Sequence, residues 1–183
     1  PQPGIAAEIF SRAAQRHDLP LSLRSSQSFE DAIRKVTHGR ADLLPAVPPS
    51  TELREELSFT KPYLSLPLAI ATRKNEFFIG DPGNIEDKRV GIVPRGEMHR
   101  ILTNKYPDIT FRKVETVEKG LQRVRNEIDF AFIGTIPSIA YAIQQHNYYN
   151  IKISGKLDEK LPISAAVSKE NKSLLSVVEK VLS

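Results

Sequence analysis

Cysteine is absent from the 183 residues. Its absence removes disulfides, thiolate metal sites and cysteine nucleophiles together, and is compatible with an oxidising compartment. Long apolar runs are missing too. No stretch approaches the ~18 consecutive apolar residues of a membrane span, and no signal-peptide pattern opens the chain. If the segment belongs to a membrane protein, its anchors lie outside it. Catalytic signatures are equally scarce. His17, His38, His99 and His146 are scattered, none at metal-ligand spacing from another His or from an acid on a shared helix, and neither G-x-S-x-G nor a Gly-rich phosphate loop occurs. All four read as surface histidines, and no metal, cofactor or enzymatic activity is expected. The formal net charge of +4 is spread along the chain. A scattered surplus gives a phosphate backbone nothing to follow, so nucleic acid is not an expected partner.

What is present is a 40% hydrophobic chain, long enough for one full core or two small lobes. GIAAEIFSRAAQRHDL places Ile5, Ile9, Phe10 and Ala13 on one helical face, and LSLR then alternates as a short strand. In SFEDAIRKVTHGRADLLPAV, Ser28 can cap a helix whose inner face is Ile33 and Val36, and Gly39 suits its stop. Leu43 and Leu44 begin a buried strand after Asp42. The same order returns farther on: GEMHRILTNKYPD as helix, ITFRKV as strand, TVEKGLQRVRNEIDFAFIGT as helix and strand, with Leu121 and Val124 echoing Ile33 and Val36, and Asp129 echoing Asp42.

A separation of roughly 90 residues is too long for a solenoid, so two similar α/β lobes are the better reading. RVGIV at 89–93 introduces the second copy, whereas the first begins directly at its helix and lacks an opening strand. FTKPYLSLPLAIATRKN at 59–75 is then the outward hinge strand, LPISAAVSKEN at 161–171 the return strand, and KSLLSVVEKVL a closing helix. The expected division is 1–64 for the first part of lobe 1, 65–168 for lobe 2, and 169–183 for the return to lobe 1. Two crossings make a hinge, and a hinge makes a cleft, a common place for a small-molecule site.

Three runs, STELREELSFTKPYLSLPLAIATRKN, IEDKRVGIVPRGEMHRIL and IDFAFIGTIPSIAYAIQ, together resemble the type II periplasmic solute-binding family, the bacterial extracellular solute-binding proteins of family 3. The likeness covers nearly the whole chain. The last third, in IGTIPSIAYAIQQ, NIKISGKLDEKLPISAAV and LLSVVEKVL, is most similar to versions that form periplasmic sensor domains of membrane-bound histidine kinases and diguanylate cyclases. The resemblance implies a two-lobed α/β periplasmic-binding-protein type II (Venus-flytrap) fold.

It also implies a set of binding positions. In amino-acid-binding members an Arg after T-x-x grips the ligand carboxylate, because a guanidinium fork matches two oxygens. TELR puts Arg54 there, although the interval to Phe59 is one residue shorter than usual. The hydroxyl-bearing positions before that Arg hold Val47 and Pro49. Where the family has G-[ST]-[ST] at a helix N-terminus, this chain has Gly96, Glu97 and Met98. Glu97 would repel an anion and favour a cation, unless it points outward as a helix N-terminal acid. The ammonium-binding Asp falls near Thr135, which can hydrogen-bond but cannot pair as a charge. The ordinary amino-acid signature is mostly gone. Tyr148 and Tyr149 are expected to pack around the end of the preceding helix, and Asp42 and Asp129 to be structural residues at strand entries.

The expected function is an extracytoplasmic sensor domain of a membrane-bound histidine kinase or diguanylate cyclase. A small polar ligand, amino-acid-like or otherwise, would bind between the lobes and drive their closure. Transmembrane and cytoplasmic signalling domains would be covalently attached, and a homodimer is compatible with this arrangement. The alternative is a free periplasmic solute-binding protein serving a transporter. Enzymes and LysR-type effector domains share the outline, but the cleft offers no acid and base pair, and the FTKPY motif argues against the LysR type.

Overall fold

The computed structural model describes residues 4–182. In chain order it has α1 (Ile5–Arg16), α2 (Phe29–Thr37), β1 (Leu43–Val47), β2 (Leu57–Phe59), β3 (Leu64–Arg73), β4 (Arg89–Ile92), α3 (Met98–Lys105), β5 (Thr110–Lys113), α4 (Val117–Arg125), β6 (Ala131–Thr135), α5 (Ile136–Gln145), β7 (Ile151–Ser168) and α6 (Lys172–Leu182). Ser65–Leu161 forms one compact unit, and the chain up to Leu64 together with the chain from Pro162 onward forms another. The return therefore falls inside β7, a single 18-residue strand, within the return strand expected at 161–171 and ahead of the expected boundary at 169.

The first unit is built on β7. Both β1 and β2 pair antiparallel with its second half, with Leu44 opposite Ala166 and Ser58 opposite Val167. Strand alternation sends neighbouring residues to opposite faces. Ala166 packs with Val36, Leu44, Val47 and Leu57 beneath α2. Ala165 packs with Phe10 and Val178, beneath α1 and α6. Ser28 caps α2 by accepting from the Asp31 amide at 3.1 Å, and Gly39 takes the left-handed conformation (φ 68°) just past the helix end. One expectation fails here: residues 19–26 form no strand, and Leu23 is 91% exposed. Alternation alone does not hold a strand, which needs a neighbour to take its backbone hydrogen bonds. Ile5 is likewise exposed rather than buried on the inner face of α1.

The second unit has the strand order β3-β6-β4-β5. β4 runs parallel to both β5 and β6, and β3 is antiparallel to β6. Every residue of β6 is buried, as a strand covered on both faces requires. Leu121 and Val124 of α4 and Ile139 of α5 pack with Phe132 on one face, and Leu102 of α3 is also fully buried. After β3 the chain turns back along the start of β7, where the Lys74 amide bonds the Asn150 carbonyl (2.8 Å) and the Ile79 amide the Ser154 carbonyl (2.7 Å).

Candidate functional site

In the second unit, β4, β5 and β6 end along one edge because they are parallel and in register. Each runs into a helix, so the N-termini of α3, α4 and α5 share that edge. Small molecules settle outside the carboxyl ends of strands in open α/β sheets, where free amides and helix dipoles favour negative charge. Thr116 caps α4 by accepting from the Lys119 amide at 3.1 Å. Thr135 caps α5 by accepting from the Ser138 amide at 3.3 Å, and its hydroxyl lies 2.7 Å from Ser138 Oγ. Between β4 and α3, Gly96 adopts φ 58°, which lets the chain turn sharply where a side chain would be strained. Glu97 makes no capping bond; its carboxylate accepts from Arg100 Nε at 2.6 Å. Met98 is buried. Gly96, Glu97, Met98 and Thr135 are thus brought to one edge, and the negative charge of Glu97 is countered by Arg100.

In the first unit, β1 ends at Val47, whose side chain is fully buried in the core with Leu44 and Leu57. Pro49 is half-buried. The buried Ser50 that follows accepts from the Leu53 amide through its hydroxyl (3.2 Å) and from the Arg54 amide through its carbonyl (3.1 Å). This holds the 3-10 turn Leu53–Glu55. Arg54 is exposed, with its guanidinium 5.2 Å from the Phe59 ring centroid. Stacking occupies the face of a guanidinium and leaves its in-plane donors for a carboxylate. Sequence reasoning found Arg54 but not Ser50 or Phe59, which fix its posture; the signal was a Ser four residues before it and an aromatic residue five after it.

No protein-family model matches the chain. It is 24% identical over 182 residues to the virulence sensor protein BvgS of Bordetella pertussis, a match covering 98% of this chain and 14% of that protein. The chain therefore spans about a seventh of the curated relatives it matches. The solved periplasmic VFT2 domain of Bordetella pertussis BvgS superposes with a TM-score of 0.88 at 23% identity, covering 98% of this chain and 77% of that one. A histidine kinase sensor domain with similarity to periplasmic binding proteins follows at TM-score 0.79 and 17% identity, covering 98% and 78%. The chain has the Venus-flytrap fold.

Other polar groups of this Venus-flytrap domain serve the scaffold. Asp129, at the entry to β6, is buried and takes hydrogen bonds from Arg123 Nε (2.6 Å) and Nη2 (3.2 Å), whereas its sequence counterpart Asp42 is exposed. His17, His38 and His146 are exposed as expected, and His99 is half-buried. His99 sits edge-on to Phe111, and burial, with the nearby Lys113 charge, pushes its pKa down. His146 stacks on Tyr148 with ring centroids 5.6 Å apart. Tyr148 is buried, as expected around that helix end, but Tyr149 is exposed. Among the described residues no three His, Asp or Glu side chains converge to hold a metal.

Proposed function

We propose that this chain is the periplasmic ligand-binding sensor domain of a membrane-bound histidine kinase or diguanylate cyclase, and that it has no catalytic activity of its own. The observation that carries the reading is the end-to-end likeness, across 98% of the chain, to a periplasmic domain of a sensor protein. The ligand is a small polar metabolite bearing a carboxylate. Arg54, Gly96, Glu97, Met98 and Thr135 are its proposed contacts. Support for an anionic group comes from the three helix N-termini at one edge, from the exposed guanidinium of Arg54, and from the Arg100 partner that removes the repulsion expected of Glu97. The mechanism is a population shift: a ligand that binds one conformation more tightly draws the domain toward it, and the changed geometry passes to the attached signalling domains. Reversing a 1:99 balance takes a differential affinity of about 5.5 kcal/mol.

The test is a thermal-shift screen against amino acids, organic acids, polyamines, sugars and nucleosides. A true ligand at about a hundred times its Kd adds roughly 2.7 kcal/mol, which moves the midpoint by several degrees. Shifts confined to carboxylate-bearing compounds and lost in Arg54→Ala are the expected result. A shift with polyamines alone, or one untouched by Arg54→Ala, overturns the assignment of the site.

A further inference from the structure

The loop that follows β3, within KNEFFIG, exposes two adjacent aromatic rings. Phe77 is 89% exposed and Phe78 77%. The loop itself is firmly held. Ile79 is buried and its amide bonds the Ser154 carbonyl, the Lys74 amide bonds the Asn150 carbonyl, and Lys152 Nζ donates to the carbonyl of Glu76. Gly155 lets the loop lie close, since a Cβ there would stand 2.2 Å from the Ile79 carbonyl oxygen. The chain thus buries one apolar residue of the Phe-Phe-Ile triplet as an anchor and holds the other two in water.

We propose that this Phe77–Phe78 knob docks on the surface of an anionic lipid bilayer. Two rings at these exposures offer roughly 300 Å² of apolar surface, well below the ~800 Å² per partner of a stable protein interface. The shape is a convex knob, which a soft interface accepts without a preformed pocket. Charge points the same way. Across residues 73–81 and 150–156 the cations Arg73, Lys74, Lys152 and Lys156 outnumber the acids Glu76 and Asp81, and the Glu76 carboxylate is already paired with Arg73 at 2.7 Å. Exposed apolar side chains flanked by lysines combine hydrophobic insertion with attraction to anionic headgroups. Ile153, on the strand that anchors the loop, is partly exposed and extends the patch. The proposal rests on the membrane-bound reading above, which places a bilayer within reach.

The test is sedimentation of the chain with unilamellar vesicles of phosphatidylglycerol and phosphatidylethanolamine, against vesicles of phosphatidylcholine alone. The expected result is pelleting with the anionic vesicles, reduced at least fivefold in Phe77→Ser/Phe78→Ser and weakened in Lys74→Glu, with thermal midpoints unchanged. No pelleting, or equal pelleting of the double variant, overturns the proposal. So does a wild-type dimer that becomes monomeric in the double variant without any lipid binding, which would give the knob to a second copy of the chain. The ligand screen needs no lipid and the vesicle assay no ligand, so failure of the sensor reading and failure of the knob are read separately.

Discussion

Gly120→Ala should destabilise a helix that the same change would ordinarily strengthen. In an exposed helix interior, replacing Gly by Ala gains about 1 kcal/mol. Gly120 lies inside α4, facing Phe132, and a Cβ built on it would sit 2.3 Å from Cδ2 and 2.4 Å from Cε2 of that ring, far inside the ~3.5 Å of a favourable carbon contact. The ring has nowhere to retreat. A Cβ at Gly134 would lie 2.7 Å from its Cε1 and one at Gly91 3.3 Å from its Cδ2, so three glycines leave backbone where side chains would otherwise stand. Overpacking of this kind costs roughly 1–3 kcal/mol or more, enough to cancel the helix gain and leave a net loss. Phe132→Ala alone should cost about 3–5 kcal/mol. In the double variant the new methyl enters the vacated space, so its loss should fall short of the sum by roughly 1–3 kcal/mol. Urea unfolding followed by circular dichroism gives the free energies, and amide exchange in β6 reports on this unit separately. A Gly120→Ala chain as stable as the parent, or single losses that simply add, would refute the steric reasoning.

Three further predictions concern other contacts. Gly155→Ala should be at least as damaging as Gly120→Ala, because the obstacle is the backbone oxygen of Ile79 rather than a side chain; amide exchange across residues 76–80 should speed up. Ser164→Ala should be neutral or stabilising by up to ~1 kcal/mol in urea unfolding, since Ser164 Oγ is buried without a partner and its removal ends a desolvation cost. Lys105 pairs with Glu159, and each shifts the other. Burial alone would raise the Glu159 carboxyl, but the hydrogen bond and charge of Lys105, with Tyr106, hold it below its ordinary 4.5. The bond to Glu159 raises Lys105 above 10.5. Stability from Glu159 is therefore complete above pH 4.5 and lost as pH falls through its folded value, while that from Lys105 is complete below pH 10.5 and lost as pH rises through its own. The destabilisation caused by Lys105→Met should accordingly be largest between those limits and shrink below pH 4.5; a pH-independent difference would rule the pairing out.

Much of the fold was legible because its signals are local. Ser28 and Thr116 announce helix starts through their own side chains, and Gly39 marks a stop. The repeated spacing of Ile33 and Val36, then Leu121 and Val124, exposes two related α/β units. What escaped depends on distant partners. LSLR alternates like a strand, yet no described strand pairs with it, so period alone misled. Val47 was counted as ligand-facing from its place before Arg54, but a β-bulge between Leu44 and Val47 turns its side chain into the same core as Leu44. Arg123 and Asp129 are six residues apart and look like two ordinary charges until the turn into β6 buries the carboxylate. The glycines around Phe132 come from β4, α4 and β6, and no window of sequence holds all three. At the candidate site the TELR motif alone suggests Arg54, while its mooring on Phe59 became visible in three dimensions.

Met98 is the one methionine in a chain without cysteine, and it is buried in the first turn of α3, at the edge where ligand contacts are proposed. Its thioether is therefore the entire sulfur chemistry of these 183 residues, and burial shelters it from conversion to a sulfoxide. Growth on methyl-labelled methionine would give a spectrum with a single peak that needs no assignment. That peak would report from beside the proposed binding edge, with no engineered tag.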